Sequence, residues 1–151
     1  MKKSILITTL IAGTLDISAA FIQSYFVNNV MPSTVLQYIA SGIYGSSTFS
    51  GGIGTMIVGL LVHYFIVFSC TICFFWLYPK IDFLRKSVLL NSILIALTAW
   101  IVTTRVIVPL SLIKQGDFVL HKALVALAIL IICIGFPIAY QAKSYFRRTN
   151  G

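Results

Sequence analysis

Long uninterrupted apolar stretches alternate along the chain with shorter polar connections. Four of them, residues 4–27, 54–78, 87–110 and 118–140, reach the length of about 20 residues that an α-helix needs to cross a bilayer. Apolar residues run continuously through each stretch instead of alternating with polar ones, which favours helices over the strands of a membrane barrel. The sequence therefore predicts an all-α bundle of four transmembrane helices.

The composition agrees with a location in a membrane. Of the 151 residues, 59% are hydrophobic and 9% are charged, and the mean hydropathy is +1.01. So few polar side chains do not cover the surface of a water-soluble domain. The four stretches take up most of the sequence, so we expect one transmembrane domain over residues 1–151.

The basic residues predict which way this bundle faces. The formal net charge is +8, and most lysines and arginines lie before the first stretch, between the second and third, or after the fourth. They are Lys2, Lys3, Lys80, Arg85, Lys86, Lys143, Arg147 and Arg148. Basic residues that flank membrane spans are retained in the cytoplasm, so both termini are expected there. This clustering explains the charge without a nucleic-acid partner and leaves membrane lipids as the expected one.

The first stretch permits a second interpretation. Met1-Lys2-Lys3, the apolar residues after it and Ser18-Ala19-Ala20 imitate a cleavable signal peptide, and cleavage would leave three spans. Asp16 interrupts the apolar core of such a signal, and the hydrophobic run resumes at Phe21. An uncleaved first helix is therefore favoured, and it gives the even number of crossings that the charge pattern requires.

Residues 28–53 form the longest connection between the stretches and contain no charged residue. Within them, Pro32-Ser33-Thr34 has residue types that begin a helix, and Gly42 is a typical helix end. We expect a short helix between the first two spans that lies in the membrane interface or dips back into the mouth of the bundle. Residues 45–54, rich in glycine and hydroxyls, are either a flexible linker or a lid over a polar cavity.

Asp16 places a carboxylate in the middle of the first apolar stretch. It lies about one helical turn from Gly13 and from Ala20, on a face of small residues that lets helices pack closely. A carboxylate that faces lipid is costly, so we expect Asp16 to face the interior of the bundle. His63 and Arg105 are its candidate neighbours.

We predict a polar cavity lined by Asp16, His63, Arg105, Thr104 and Asn91. In this cavity Asp16 would bind a proton or a cation, and His63 would relay protons because histidine titrates near neutral pH. Each of the three ionisable residues also has a structural alternative. Asp16 would be a capped, buried carboxyl, His63 a hydrogen bond between helices, and Arg105 a side chain that reaches the lipid headgroups.

The cysteines and histidines suggest redox, metal or haem chemistry as further alternatives. Cys70 and Cys73 form a C-x-x-C pair, and Cys133 falls at a similar depth. Their surroundings are apolar and offer no positive group to activate a thiol, so we expect the three cysteines to contribute to packing. His63 and His121 would need matched depths to hold a haem, and His121 is too close to the end of its helix.

No other catalytic pattern is present. The sequence has no nucleotide-binding loop, no nucleophile with an orienting acid and no zinc-ligand spacing. We therefore predict no cofactor, no metal and no enzymatic activity.

Several segments resemble a group of small bacterial inner-membrane proteins. They are Ala12-Gly13-Thr14-Leu15-Asp16-Ile17, Ala40-Ser41-Gly42, Phe49-Ser50-Gly51-Gly52, Gly59-Leu60-Leu61-Val62-His63 and Tyr78-Pro79-Lys80-Ile81. Over nearly its whole length the chain is similar to the YagU-like family of unknown function, and GTLD and FSGG are the more specific parts. The resemblance implies four membrane helices and a bacterial cytoplasmic membrane, and it supplies no catalytic residues. In such proteins a neutral polar residue often stands at the position of Arg105, which weakens an obligatory pair with Asp16.

The leading functional hypothesis is a membrane protein that binds or passes a small solute, proton or cation through the polar cavity. The first alternative is a structural or accessory subunit, in a homo-oligomer or with a partner membrane subunit, whose polar residues only hold helices together. A thiol-redox or haem protein is the third. Replacement of Asp16 by asparagine separates the first two, because only the first needs a titratable carboxylate.

Overall fold

The computed structural model describes residues 1–107 and 120–149 of the chain. Every regular element in these ranges is helical, which confirms the all-α prediction. Four of the described helices are long and apolar enough to cross a membrane, and they are Lys2–Val27, Gly52–Leu77, Val88–Arg105 and Leu120–Thr149.

The first two spanning helices match the predicted stretches to within two residues at each end. The elements in chain order are α1 (Lys2–Asn28), α2 (Pro32–Tyr44), a 3₁₀ turn (Gly45–Ser50), α3 (Gly52–Leu77), a 3₁₀ turn (Asp82–Arg85), α4 (Val88–Val102), a π turn (Thr103–Ile107), α5 (Leu120–Leu130), a π turn (Ile131–Gly135) and α6 (Phe136–Thr149). Residues 108–110 and 118–119 of the predicted third and fourth stretches lie outside the described residues.

The fourth spanning helix continues to Thr149, beyond the predicted end at residue 140. Its last turns are amphipathic, because Ala142 and Phe146 pack against the core while Lys143 and Arg147 are exposed. An apolar stripe of this kind stabilises a helix whose overall composition is polar. A search for uninterrupted apolar residues therefore ends this helix too early.

The four spanning helices do not contact each other equally. The fourth spanning helix comprises α5, the π turn Ile131–Gly135 and α6. α1 packs against α3 on one side and against this π turn and α6 on the other, and α4 packs mainly against the same π turn and α6. α3 and α4 touch only sparsely, although the short connection between them favours neighbouring antiparallel helices. We call the end of the bundle that contains Lys2, residues 78–87 and Thr149 the terminal end, and the opposite end, with α2, the α2 end.

Two glycines let helices approach each other at backbone distance. A Cβ atom at Gly59 of α3 would clash with the backbone carbonyl of Leu36 in α2. A Cβ atom at Gly135 would clash in the same way with the carbonyl of Ser92 in α4. The position of α2 on α3, and of the fourth helix on α4, therefore depends on the absence of a side chain.

The π turn Ile131–Gly135 ends two residues before Pro137. Proline has no N–H, and its ring clashes with the carbonyl four residues earlier, which here belongs to Cys133. A wider turn at residues 131–135 is a local solution to both problems.

The connection at the α2 end contains the predicted short helix. Met31 is extended, Pro32 occupies the first turn, and α2 ends before Gly45, whose φ of 67° favours glycine. In the following 3₁₀ turn the hydroxyls of Ser47, Thr48 and Ser50 each donate to a carbonyl three residues earlier. This segment is therefore a hydrogen-bonded turn rather than an open linker.

Aromatic side chains fill the terminal end of the bundle. Phe75 is 1% exposed, and its ring centroid lies 6.1 Å from that of Tyr145 and 6.3 Å from that of Phe146. Tyr78 stacks on Phe146 at 5.3 Å, and the core continues with Ile138. Burial raises the pKa of the Tyr78 hydroxyl, and the Arg85 guanidinium partly opposes that rise.

Aromatic residues near the end of a membrane span commonly form a belt at the interface, but most of those in residues 74–78 point into the bundle. Phe74, Phe75 and Tyr78 are buried, whereas Trp76 is 60% exposed. The Lys80 ammonium lies 3.1 Å from the Trp76 ring centroid, a cation–π geometry. Hydropathy locates such a cluster along the chain but does not tell which way each ring points.

Candidate functional site: a central cavity

A cavity of about 460 Å³ lies between the helices, where α3 and α4 touch only sparsely and α2, packed against α3 and α1, contributes part of the wall. Pockets of about 300–1,000 Å³ accommodate small molecules. Most of the wall is aliphatic. Its polar and aromatic side chains include Asp16, Gln23, Tyr38, His63, Trp100, Thr103 and Thr104.

Asp16 lies near the middle of α1, about 21 Å from the first residue of the helix at 1.5 Å per residue. Its side chain is 17% exposed and borders the cavity together with Ala20. Within the described part of the chain no group donates a hydrogen bond to this carboxylate, and its ionisable neighbour is His63, whose Nδ1 lies 4.0 Å from Oδ2. The carboxylate therefore keeps its capacity to accept hydrogen bonds from the cavity.

His63 is fixed between Asp16 and the backbone of α1. Its Nε2 lies 2.9 Å from the carbonyl oxygen of Gly13. A carbonyl only accepts, so Nε2 carries the hydrogen, and in a neutral ring Nδ1 is then an unprotonated acceptor. That acceptor faces the carboxylate of Asp16. Without a proton between them, Nδ1 of His63 and the Asp16 carboxylate are two acceptors that repel each other. A proton on either group turns that repulsion into attraction, so the geometry suits the binding of one proton.

Gly13 and Thr14 bring α1 and α3 together beside this pair. A Cβ atom at Gly13 would lie 2.6 Å from Cε1 of Tyr64, and the Tyr64 hydroxyl is 2.8 Å from the Thr14 hydroxyl. The GTLD segment thus supplies a close approach, a hydrogen bond between helices and a carboxylate within four residues.

Thr104 also borders the cavity, as the sequence predicts. Its hydroxyl donates to the Trp100 carbonyl at 2.7 Å, and Thr103 lines the wall beside it. Both threonines belong to the π turn Thr103–Ile107, and such turns occur frequently at functional sites. Arg105 follows in the same turn, but its side chain is exposed and does not border the cavity. The structure does not bring it to Asp16.

Asn91 lies away from the cavity, near the terminal end of α4. It is 1% exposed, and its Nδ2 donates to the carbonyl oxygen of Leu84. Its Oδ1 has no hydrogen-bond partner among the described residues. The side chain therefore ties the 3₁₀ turn Asp82–Arg85 to α4 instead of lining the cavity.

The cysteines and His121 occupy separate places. Cys70 borders the cavity, Cys73 is exposed, Cys133 is partly buried, and all three are free thiols. Residues 1–107 and 120–149 contain no group of three His, Cys, Asp or Glu side chains that could hold a metal ion. His121 is exposed in the first turn of α5 and does not border the cavity with His63.

Sequence reasoning missed Gln23, Tyr38 and Trp100 as cavity residues. Gln23 was available from spacing, because Asp16, Ala20 and Gln23 share one helix face at i, i+4 and i+7. Trp100 lies one turn before Thr104 and follows from the same rule. Tyr38 required knowledge that α2 folds over the cavity.

No family model, curated protein or solved structure matches this chain. The resemblance to the YagU-like family therefore remains a prediction from the sequence, and the site is interpreted from its own geometry.

Proposed function

We propose that this protein is a four-span integral protein of a bacterial cytoplasmic membrane, with cytoplasmic termini, that binds or passes a proton or a small cation through its central cavity. The four apolar helices support the membrane location. The orientation is supported by Lys2, Lys3 and the basic residues of the 78–87 connection and of α6, which meet at one end of the bundle.

The observation that carries the proposal is the arrangement of Asp16 and His63. The Asp16 carboxylate accepts no hydrogen bond from residues 1–107 and 120–149, borders a cavity and faces Nδ1 of a histidine whose Nε2 is fixed by the Gly13 carbonyl. An ionisable residue in the middle of an apolar helix is costly, and such residues commonly mark paths for ions or protons. The pair would take up one proton and release it to a group that enters the cavity.

The cavity wall favours a cation with an apolar body when the solute is larger than a proton. Trp100 and Tyr38 present aromatic rings to the same space as Asp16. Aromatic faces and a carboxylate together recognise ammonium groups. An organic amine would fill the aliphatic part of the cavity and place its charge beside Asp16.

The test is proton flux into liposomes that contain the purified protein, a trapped pH-sensitive dye and a potassium diffusion potential. We expect Asp16→Asn to lower the protein-dependent flux about tenfold or more, because the amide cannot bind the proton. Asp82→Asn is the matched control, since it removes a carboxylate at the terminal end that pairs with Arg85 outside the cavity. Equal flux through folded wild type and Asp16→Asn would refute the proposal.

His63→Gln separates a proton relay from a purely structural histidine. The glutamine amide can still donate to the Gly13 carbonyl, but it does not titrate in the physiological range. We expect this variant to fold and to lose flux. Retained flux would mean that Asp16 acts without His63.

A structural or accessory subunit is the second candidate, and two contacts favour it. The hydrogen bonds from His63 to Gly13 and between Thr14 and Tyr64 join α1 to α3, as polar contacts do between membrane helices. Under this alternative the bundle would act in a homo-oligomer or with a partner membrane subunit. Asp16→Asn would then change stability or assembly and leave flux at the level of empty liposomes in both proteins.

A further inference from the structure

A second cavity, of about 210 Å³, lies at the terminal end between α4 and α6. Its lining comprises Val88, Tyr140, Lys143, Ser144 and Arg147. The four α6 residues are spaced by three or four positions and therefore share one face of the helix. The opposite face of α6, with Ala142, packs in the core, so this wall is held in place by the bundle.

The two cations of this cavity have no carboxylate partner in the described structure. Asp82 pairs with Arg85 at 3.5 Å, and Asp16 lies beside His63 in the central cavity. Lys143 and Arg147 are four residues apart on one helix, a spacing at which like charges repel each other. An anion between them would relieve that repulsion.

The remaining polar groups around the cavity are suited to donate hydrogen bonds. Ser144 and Tyr140 contribute hydroxyls from α6. On the other side α4 begins, where the Ser87 hydroxyl accepts from the Leu90 amide at 3.3 Å. Val88, the first residue of α4, lines the cavity; its amide has no acceptor within the helix, and a helix start carries partial positive charge.

We infer that this cavity is a binding site for a phosphate group. Arg147 offers a planar guanidinium fork, Lys143 a compact charge, and the serine hydroxyl and the start of α4 further donors, a combination that matches phosphate oxygens. Phe136 and Tyr140 stack at 6.1 Å as exposed rings one turn further into the apolar part of the helix. In an anionic phospholipid, the phosphate would lie between the two cations and the acyl chains would lie along the exposed rings beside them.

The test is native mass spectrometry of the full-length protein in detergent, titrated separately with phosphatidylglycerol, phosphatidylcholine and inorganic phosphate. We expect phosphatidylglycerol to bind more tightly than phosphatidylcholine. The Lys143→Gln, Arg147→Gln double variant should weaken phosphatidylglycerol binding about tenfold or more. Lys2→Gln, Lys3→Gln is the matched control, because it removes the same charge at the same end of the bundle without touching the cavity.

Ser144→Ala distinguishes a built site from a general attraction of charges. It keeps every charge and removes one donor, so a loss of binding of about threefold or more supports directed contacts. Equal weakening in the two double variants, with no effect of Ser144→Ala, would overturn the site. Inorganic phosphate that binds as tightly as phosphatidylglycerol, and with the same dependence on Lys143 and Arg147, would support the phosphate site and overturn its assignment to a lipid.

Discussion

The two halves of this bundle are built from the same spanning helices and yet differ in how they fill their interior. At the terminal end, large rings such as Phe75, Tyr78 and Phe146 meet in the middle, and Asn91 ties the short connection to α4. Toward the α2 end, the π turn Thr103–Ile107 follows α4, and a cavity of about 460 Å³ remains beside it. One half thus fixes the helices, which lets the other half keep a carboxylate beside open space.

The sharpest test of the packed half is Phe75→Ala. The substitution removes a ring that is 1% exposed and contacts two rings of α6, so we expect the free energy of unfolding to fall by about 3 kcal/mol or more. The measurement is reversible unfolding of the purified protein in mixed micelles.

Phe65→Ala is the matched control, because it changes the same residue type on the same helix at a side chain that is 69% exposed. A change of about 0.5 kcal/mol or less is expected there. If both substitutions destabilise the protein equally, the terminal end is not the packed half.

The open half is tested by Gly59→Ala. The new methyl group would clash with the Leu36 carbonyl and push α2 away from α3, at a cost of about 1–3 kcal/mol. Because α2 covers the cavity through Tyr38 and Gly42, we expect faster labelling of Cys70 by a water-soluble maleimide in a Cys73→Ser, Cys133→Ser background.

Gly54→Ala serves as the control for this experiment. It lies on the same helix, and a Cβ atom there meets no other atom within 4 Å. Labelling of Cys70 should stay at the parental rate. Unchanged labelling in Gly59→Ala as well would show that α2 does not cover the cavity.

The sequence predicted the helices better than their contacts. Four apolar stretches of sufficient length have one plausible structure in a membrane, and Pro32 and Gly42 marked a short helix, which in the structure continues two residues further to Tyr44. The direction of each side chain was harder to predict. Phe74, Phe75 and Tyr78 turn inward while Trp76 turns outward, and a uniformly apolar stretch gives no periodicity that separates these faces.

The same limit explains the mixed outcome for the cavity residues. Depth along a helix follows from 1.5 Å per residue, and it gives compatible heights for Asp16, His63 and Arg105, of which the structure brings Asp16 and His63 together and leaves Arg105 exposed. Rotation around the axis is less predictable, because a π turn adds one residue and rotates the following side chains by about 100°. Arg105 lies within such a turn and is exposed, whereas Asn91 is used to hold a turn at the terminal end.

The finest distinction concerns the contact between α1 and α3, where the packed half passes into the open one. Tyr64→Phe removes the hydroxyl that bonds to Thr14 at 2.8 Å and keeps the ring against Gly13. Hydrogen bonds between membrane helices contribute about 0.6 kcal/mol on average, so a loss of that size in unfolding free energy is expected. Tyr25→Phe on α1 is the control, since its exposed hydroxyl makes no hydrogen bond with the part of the chain that the structure describes, and we expect no change. A loss several times larger in Tyr64→Phe would mean that this hydroxyl also positions His63 against Asp16, and proton flux in the same variant would then fall, whereas a purely local bond leaves flux unchanged.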